Sequence, residues 1–270
     1  MYQSIYDFRD FYNTPMGGVV RSVLRRKIRS CWPHVKGLRV VGIGCPQPYL
    51  DMFLPEAERC IAINPAAQGS FPWPEQGANL SVLAEETELP IETNSVDRVL
   101  LIHSLEYGEL PHSNLKEIYR ILKSNGRLLV IVPNRRGLWS RAEWSPFGHG
   151  TPYSGDQLRM ALRENLFVLE RSSMALFAPP VRFNMVQKSF GTFDLVLSLI
   201  LPAIGGVHVV EVSKQVYAGT SVPVGAKVII RARPAPAGSA RRWSVQAPRA
   251  AAQGGRYARQ DPTDGSWASA

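Results

Sequence analysis

The sequence predicts an α/β fold with a doubly wound, mostly parallel sheet. Short apolar runs alternate with helix-length segments through the first two thirds of the chain, and connections of that length join parallel strands by crossovers. Residues 128–132 are apolar throughout, which is typical of a strand buried on both faces. The first apolar run ends in Gly42-Ile43-Gly44, so a tight turn is expected there.

Hydrophobic periodicity locates the individual elements. The segment 17–31 has apolar residues at helical spacing, and its arginines lie largely off that face. This pattern favours a surface helix packed on a sheet over a helix that binds RNA or a membrane surface. Strands are expected at 38–43, 60–63, 80–83, 96–103 and 127–132, with a helix at 115–122. Gly126 is expected to take a positive φ after that helix.

The second half of the chain is less regular. Ser154 and Gln157 form a capping-box pattern, which predicts a helix at 154–165, and a strand is expected at 166–176. The segments 207–217 and 226–233 are both strand candidates, and the pattern leaves open which one closes the sheet. Residues 235–270 are predicted to be a disordered tail, because they hold too little apolar surface to offset the entropy of ordering.

Charge and cysteine content narrow the function classes. The net charge is +9, but residues 231–270 alone carry seven arginines and two aspartates. The basic balance is therefore largely a property of the tail and says little about what an active site binds. Nucleic acid is not an expected partner, and the basic tail is a candidate contact for a protein partner. Three cysteines without a paired spacing, and a first segment without an apolar run, favour a cytoplasmic protein. We expect no metal site and no membrane span.

Ordered motifs follow the predicted strands. Gly42-Ile43-Gly44 comes first, then Leu89-Pro90-Ile91 and Ser95-Val96-Asp97, then His103-Ser104-Leu105-Glu106, and finally Gly126-Arg127-Leu128 after the helix at 115–122. With these motifs, residues 35–134 resemble the class I S-adenosylmethionine-dependent methyltransferases, in particular the small-molecule, ubiquinone-biosynthesis type. The block at 89–134 is specific, whereas the glycine motif alone is a weak signal.

The resemblance implies a Rossmann-like, seven-stranded sheet with helices on both faces, spanning residues 1–234. Segments 135–153 and 184–206 would be lid insertions. In such sheets, ligands bind beyond the carboxyl ends of the strands, where strand order reverses. The expected activity is methyl transfer from S-adenosylmethionine to a small molecule. The cofactor residues that the resemblance implies are Gly42, Gly44, Cys45, Tyr49, Asn64, Glu85 and Leu105.

The glycine loop departs from the family pattern. Gly42 stands where the family has an acid, and Pro46 and Pro48 stand where it has glycines. Proline fixes φ and removes an N–H donor, so the loop is either a rigid, differently shaped cofactor loop or one that no longer binds the cofactor. Asn64 replaces the acid that binds the ribose hydroxyls, which would weaken binding by about tenfold. Glu85 falls where the family's acid meets the adenine amino group.

His103 is the candidate catalytic residue, as a general base for an acceptor hydroxyl. The alternative is that it only shapes the pocket. Glu106, next to it, is a candidate substrate contact, and so are four residues that follow the fifth strand: Asn134, Trp144, His149 and Tyr153. The aromatic residues of this long segment suit either a lid over a flat or apolar acceptor or a seal on the edge of the sheet.

Three other functions compete with methyl transfer to a small molecule. The altered loop and Asn64 together favour a methyltransferase-like protein without catalysis, acting as a binding or regulatory partner. An RNA methyltransferase is less expected, because the chain has no recognisable RNA-binding module. A nicotinamide-dependent enzyme is weaker still, since Gln47 occupies the third glycine position of that motif.

Overall fold

The structure, a computed structural model, describes residues 4–180 and 205–215. The helices are α1 (Ile5–Asn13), α2 (Pro15–Cys31), α3 (Gln47–Leu50), α4 (Pro111–Ile121) and α5 (Gly155–Glu164). The strands are β1 (Arg39–Gly44), β2 (Arg59–Pro65), β3 (Ser81–Ala84), β4 (Val96–Ile102), β5 (Leu122–Pro133), β6 (Phe167–Ala175) and β7 (Val207–Lys214). Two short 3-10 turns lie at Trp139–Arg141 and Pro146–Gly148.

The seven strands form one sheet in the order β3-β2-β1-β4-β5-β7-β6. The first five in that order pair in parallel, and β7 is antiparallel to both of its neighbours. This confirms the predicted seven-stranded, mostly parallel sheet. Of the two candidates for the strand that closes the sheet, the segment 207–217 contains β7, which pairs between β5 and β6. The second, 226–233, lies outside the described residues, as do the tail at 235–270 and most of the insertion expected at 184–206.

Two hydrophobic layers cover the sheet. Neighbouring strand residues alternate between them, so that Val40 packs with α2 on one face and Val41 packs with α4 and α5 on the other. Helix α2 begins after a Thr14 cap with proline in its first turn, two residues before the predicted start. The predicted capping box of Ser154 and Gln157 opens α5. Among the described helices, none is long and apolar enough to cross a membrane.

The sequence did not lead us to predict helix α1, and the positive φ expected at Gly126 lies at the preceding residue. Helix α1 was not predicted, although Ser4 and Asp7 form a capping box at its start and its buried residues recur at helical spacing. Gly126 does not take the left-handed conformation. Asn125 does, with φ 64°, because β5 begins at Leu122 and continues through this turn. Asparagine tolerates this region better than most residues.

Alanine at Gly44 is expected to destabilise the fold by about 1–3 kcal/mol more than alanine at Gly77, because only Gly44 is sterically enclosed. Their φ angles are +99° and +101°, but a Cβ on Gly44 would lie 2.0 Å from the Ile102 carbonyl oxygen, whereas nothing lies within 4 Å of one on Gly77. Urea unfolding of the two variants measures the difference. Equal losses would mean that Gly44 is required only for its backbone angle.

Candidate active site

The carboxyl ends of β1 and β4 lie side by side, with Gly44 paired to Ile102. The Cys45 amide donates to the Ile102 carbonyl oxygen at 3.0 Å, so the loop after β1 is anchored to β4. His103 follows directly with φ 55°, a conformation that turns the chain sharply at the end of the strand. The loop and the β4 end therefore form the two walls of one crevice, as the topology predicts.

Gly42 and Pro46 depend on each other. A Cβ on residue 42 would lie 2.3 Å from the Pro46 Cβ and 2.8 Å from the Leu50 Cδ1. The proline ring thus fills the space beside the position where the family carries an acid, and a side chain at residue 42 no longer fits. The helix that follows has only 4 residues. The unusual residues of this loop are therefore one coordinated change in its shape.

Asn64 fastens this loop to the end of β2. Its side chain is fully buried, and its amide nitrogen donates to the Gly44 carbonyl oxygen at 2.7 Å. Its amide oxygen accepts from Gln47 Nε2 at 2.9 Å and from Ser70 Oγ at 3.0 Å. In this conformation, Asn64 holds the protein together rather than offering its amide to a ribose.

A chain of buried hydrogen bonds leads from the loop to His103. The Tyr49 hydroxyl donates to the Tyr12 hydroxyl at 2.7 Å, which lies 2.7 Å from His103 Nε2. Because the Tyr12 proton also needs an acceptor in this buried site, we assign Nε2 as the acceptor and place the ring proton on Nδ1. Burial is the main cause that raises the pKa of both tyrosines, so they remain neutral phenols.

Glu106 is a buried carboxylate without a hydrogen-bond donor among the described residues. Its side chain is 1% exposed, and Oε1 lies 3.4 Å from His103 Nδ1. That distance allows an ionic interaction, but both carboxylate oxygens and Nδ1 lack an aligned hydrogen bond. Isolated buried charges are costly, and such catalytic contacts often tighten only when a substrate binds.

A second acid, Glu86, lies close to this pair. The Ser104 hydroxyl donates to Glu86 Oε1, and the Asn114 amide donates to the same oxygen at 3.1 Å. Burial raises the pKa of Glu86, and the nearby Glu106 charge raises it further. Glu85, the predicted adenine contact, is instead exposed. The more buried of these two acids is thus Glu86, and both line the same cavity.

Helix α1 covers the crevice. Its Phe8 ring stacks on the His103 ring at a centroid distance of 5.0 Å and an angle of 12°, and Ile5 and Phe8 pack with Cys45 and Tyr107. The Ile5 amide donates to the Gln68 carbonyl oxygen at 2.9 Å. The sequence reading missed this contribution to the site, although the cap and the spacing of the aromatic residues could have revealed it.

The structure brings Cys45, Tyr49, His103 and Glu106 together and places other predicted site residues elsewhere. The Leu105 side chain belongs to the hydrophobic layer beneath the sheet. Asn134 donates to the Gly205 carbonyl oxygen at 2.8 Å and so ties the end of β5 to the start of β7. Both side chains are buried in these contacts within the fold.

The aromatic segment after β5 packs against the covering helix. Trp144 contacts the Phe11 ring of α1 at a centroid distance of 6.2 Å, and the Phe147 ring lies 4.9 Å from that of His103. The Tyr153 hydroxyl donates to the Leu105 carbonyl oxygen at 3.4 Å. His149 instead contacts the Glu143 carbonyl oxygen within its own loop. Phe147, which the sequence reading did not select as a site residue, is the residue of this segment that reaches His103.

Comparisons with known proteins agree with this architecture. Residues 41–130 match the methyltransferase domain family. A Thermotoga maritima S-adenosylmethionine-dependent methyltransferase aligns over 78% of this chain and 96% of its own, with 17% identity and a TM-score of 0.52. A chain from the Haloferax volcanii complex of the methyltransferase activator Trm112 and a methyltransferase also aligns. The alignment covers 78% of the present chain and 97% of the Haloferax chain, with 20% identity and a TM-score of 0.56. No curated protein sequence matches the chain.

The fold is that of the class I methyltransferases, and the structural similarities at this level of identity concern the fold alone. Residues 41–130, a third of the chain, are similar to the methyltransferase domain family, and the similar solved structures include proteins described as S-adenosylmethionine-dependent methyltransferases.

The variant Glu86→Gln is expected to raise the free energy of unfolding more at about pH 8 than at about pH 5. Because burial raises the folded pKa above the ordinary 4.5, ionisation of Glu86 destabilises the fold. This cost is absent at low pH, grows above the ordinary pKa, and is complete above the folded pKa. Each unit by which the folded pKa exceeds the unfolded pKa lowers the free energy of unfolding by about 1.4 kcal/mol once the group is ionised. Glutamine removes the charge and keeps an accepting oxygen for Ser104.

Chemical denaturation across this pH range measures the effect, with the exposed Glu85→Gln as the matched control. A stability gain that does not change with pH would contradict the assigned cause.

Proposed function

We propose that this chain transfers the methyl group of S-adenosylmethionine to a small-molecule acceptor in the crevice where β1 and β4 end. The observation that supports this most is the buried Glu106 carboxylate beside His103 within a methyltransferase domain. A buried carboxylate without a partner costs several kcal/mol. A cationic sulfonium in the crevice would offset that cost, so the site has the charge that this cofactor needs.

The polar groups around the crevice fit the remainder of the cofactor. A cavity of about 140 Å³ lies between the loops that follow β2, β3 and β4, and its lining includes Gln68, Glu85, Glu86 and Asn114. Gln68 Oε1 and Asn114 Oδ1 are buried acceptors without a donor among the described residues. These acceptors, with Glu86, would suit the amino group of adenine. When bound, S-adenosylmethionine supplies an electrophilic methyl group.

Helix α1 and the cofactor compete for the same space. Ile5 and Phe8 occupy the crevice beside Cys45 and His103, so cofactor entry requires α1 to move outward. A protein whose competent state is only partly populated binds its ligand more weakly by that fraction. We therefore infer that α1 is a lid whose opening contributes to the cofactor affinity.

His103 and Glu106 would perform the acid–base part of the reaction. His103 Nε2 already accepts a hydrogen bond from a hydroxyl, that of Tyr12 at 2.7 Å, and is oriented to take a proton from an acceptor hydroxyl. The Glu106 carboxylate, 3.4 Å from Nδ1, would stabilise the imidazolium that results. The surrounding protein excludes water, which strengthens this electrostatic effect.

A second candidate function is that of a methyltransferase-fold protein that binds a partner without catalysis. Two observations favour it. Asn64 is engaged by Gly44, Gln47 and Ser70, and Pro46 and Pro48 remove two amide donors from the loop. In this alternative, α1 remains closed, and the crevice serves as part of the folded core.

The double variant Ile5→Ala/Phe8→Ala is expected to bind S-adenosylmethionine at least about tenfold more tightly than the unaltered chain. Both side chains are fully buried against the crevice, and their truncation weakens the closed state by more than the roughly 1.4 kcal/mol that a tenfold change requires. Calorimetry on the full chain measures the affinity. Leu158→Ala on α5, which truncates an equally buried side chain in the other layer, is the control and should leave it unchanged.

Binding to the folded double variant, with weaker binding to the unaltered chain, supports the lid and the cofactor together. If neither protein produces heat at millimolar cofactor while circular dichroism shows both folded, methyl transfer is excluded and the non-catalytic alternative stands.

A further inference from the structure

We propose that the acceptor is a phenol and that Tyr12 occupies its place in the closed protein. This inference rests on the proposed methyl transfer and specifies its substrate class. The observation behind it is that α1 presents to His103 a neutral phenolic hydroxyl, 2.7 Å from Nε2, inside a site that is otherwise suited to remove a proton from such a group.

The site is shaped for a flat ring that carries a hydroxyl. The Tyr12 ring meets the Tyr49 ring edge-on, with centroids 5.7 Å apart at 87°, and the His103 ring at 5.9 Å. The Phe147 ring also contacts the His103 ring, with centroids 4.9 Å apart. Tyr49, His103 and Phe147 belong to the body of the protein, so an aromatic surface remains when α1 leaves.

The hydroxyl has two dedicated partners in the body of the protein. Tyr49 Oη donates to the Tyr12 oxygen, and His103 Nε2 accepts its proton. If α1 moves away, both groups lose this partner, and an apolar ring bound in its place would keep water out and leave each of them unsatisfied at a cost of about 1–3 kcal/mol. A phenol restores both hydrogen bonds, whereas an unsubstituted aromatic ring restores neither. A cationic amine would lack a free lone pair for Tyr49 and could only donate.

The chemistry balances with the groups present and a methyl sulfonium donor. The phenol oxygen forms a bond to the methyl carbon while the carbon–sulfur bond breaks, and the electron pair of that bond stays on the sulfur. The phenol proton passes to His103 Nε2, and Glu106 stabilises the imidazolium before the proton leaves to water. Phenols are suitable acceptors for one histidine base because their ordinary pKa, near 10, is far below that of an aliphatic alcohol.

Binding of three small aromatic probes to the full chain tests the proposal without relying on turnover. The probes are 4-methylphenol, toluene and benzylamine. We expect 4-methylphenol to bind at least about tenfold more tightly than either of the others. It should also speed hydrogen exchange at the amides of α1, because it displaces the helix. Calorimetry and hydrogen exchange by mass spectrometry measure the two effects.

Variants separate the proposal from nonspecific binding. Tyr12→Phe keeps the ring but removes the hydroxyl that holds α1 through its hydrogen bond to His103. The loss of one hydrogen bond, about 1 kcal/mol, weakens the closed state, so this variant should bind 4-methylphenol about fivefold more tightly. Tyr6→Phe, on the exposed side of the same helix, is the matched control and should not change binding. His103→Asn, which tolerates the positive φ of that position, should abolish the preference of the site for 4-methylphenol over toluene.

The outcomes for acceptor and cofactor can be told apart. In the presence of S-adenosylmethionine, the phenol proposal expects 4-methylanisole as the product. If the cofactor binds but toluene or benzylamine opens α1 as well as 4-methylphenol does, the phenol assignment is overturned and methyl transfer stands. If 4-methylphenol binds selectively and the cofactor does not bind, the proposed methyl transfer is excluded, whereas the assignment of a phenol-binding site is supported.

Discussion

The hydrogen bond between Tyr12 and His103 is the contact on which the shape of the candidate site depends. The two residues and Tyr49 are buried, and buried polar groups require partners within the protein. Two bonds of 2.7 Å satisfy the three groups at once. They also connect α1 to the loop after β1 and to the end of β4, so a residue 91 positions from His103 in sequence closes the crevice.

The altered glycine loop after β1 contributes to the same closed site as the hydrogen bond between Tyr12 and His103. Pro46 occupies the space beside Gly42, and Asn64 bonds to the loop instead of remaining free. Each change taken alone reads as the loss of a cofactor contact. Together they form a rigid wall against which the aromatic face of α1 packs, so the loop and the helix are best regarded as one structural unit.

Much of the fold was predictable because it depends on local patterns. Continuous apolar runs, such as that of β5, indicate strands buried on both faces, and the alternation of Val40 and Val41 between two layers follows from the pleat of the strand. The Ser154 capping box is equally local. Boundaries were less accurate where a turn was hidden in a strand, as at Asn125, because turn conformation depends on how the flanking strands pair.

The candidate site was predictable only as a region. The order of motifs indicated that the ends of β1 and β4 lie side by side, as they do in the structure, since topology brings those ends together. Which side chains face the crevice was not determined, because adjacent residues after a strand point in different directions. Glu86 is more buried than its neighbour Glu85, and Leu105 turns into the core. Two residues that are adjacent in sequence can therefore point in opposite directions.

The sequence by itself determined the class of the fold, the strand ends that form the crevice and the residues of the altered loop, because these follow from periodicity and motif order. Only the tertiary structure decided that α1 fills the crevice, that Asn64 bonds to Gly44, Gln47 and Ser70, and that the Glu106 carboxylate lacks a donor among the described residues. These features depend on contacts between segments far apart in the chain, and local sequence patterns carry no information about such distances.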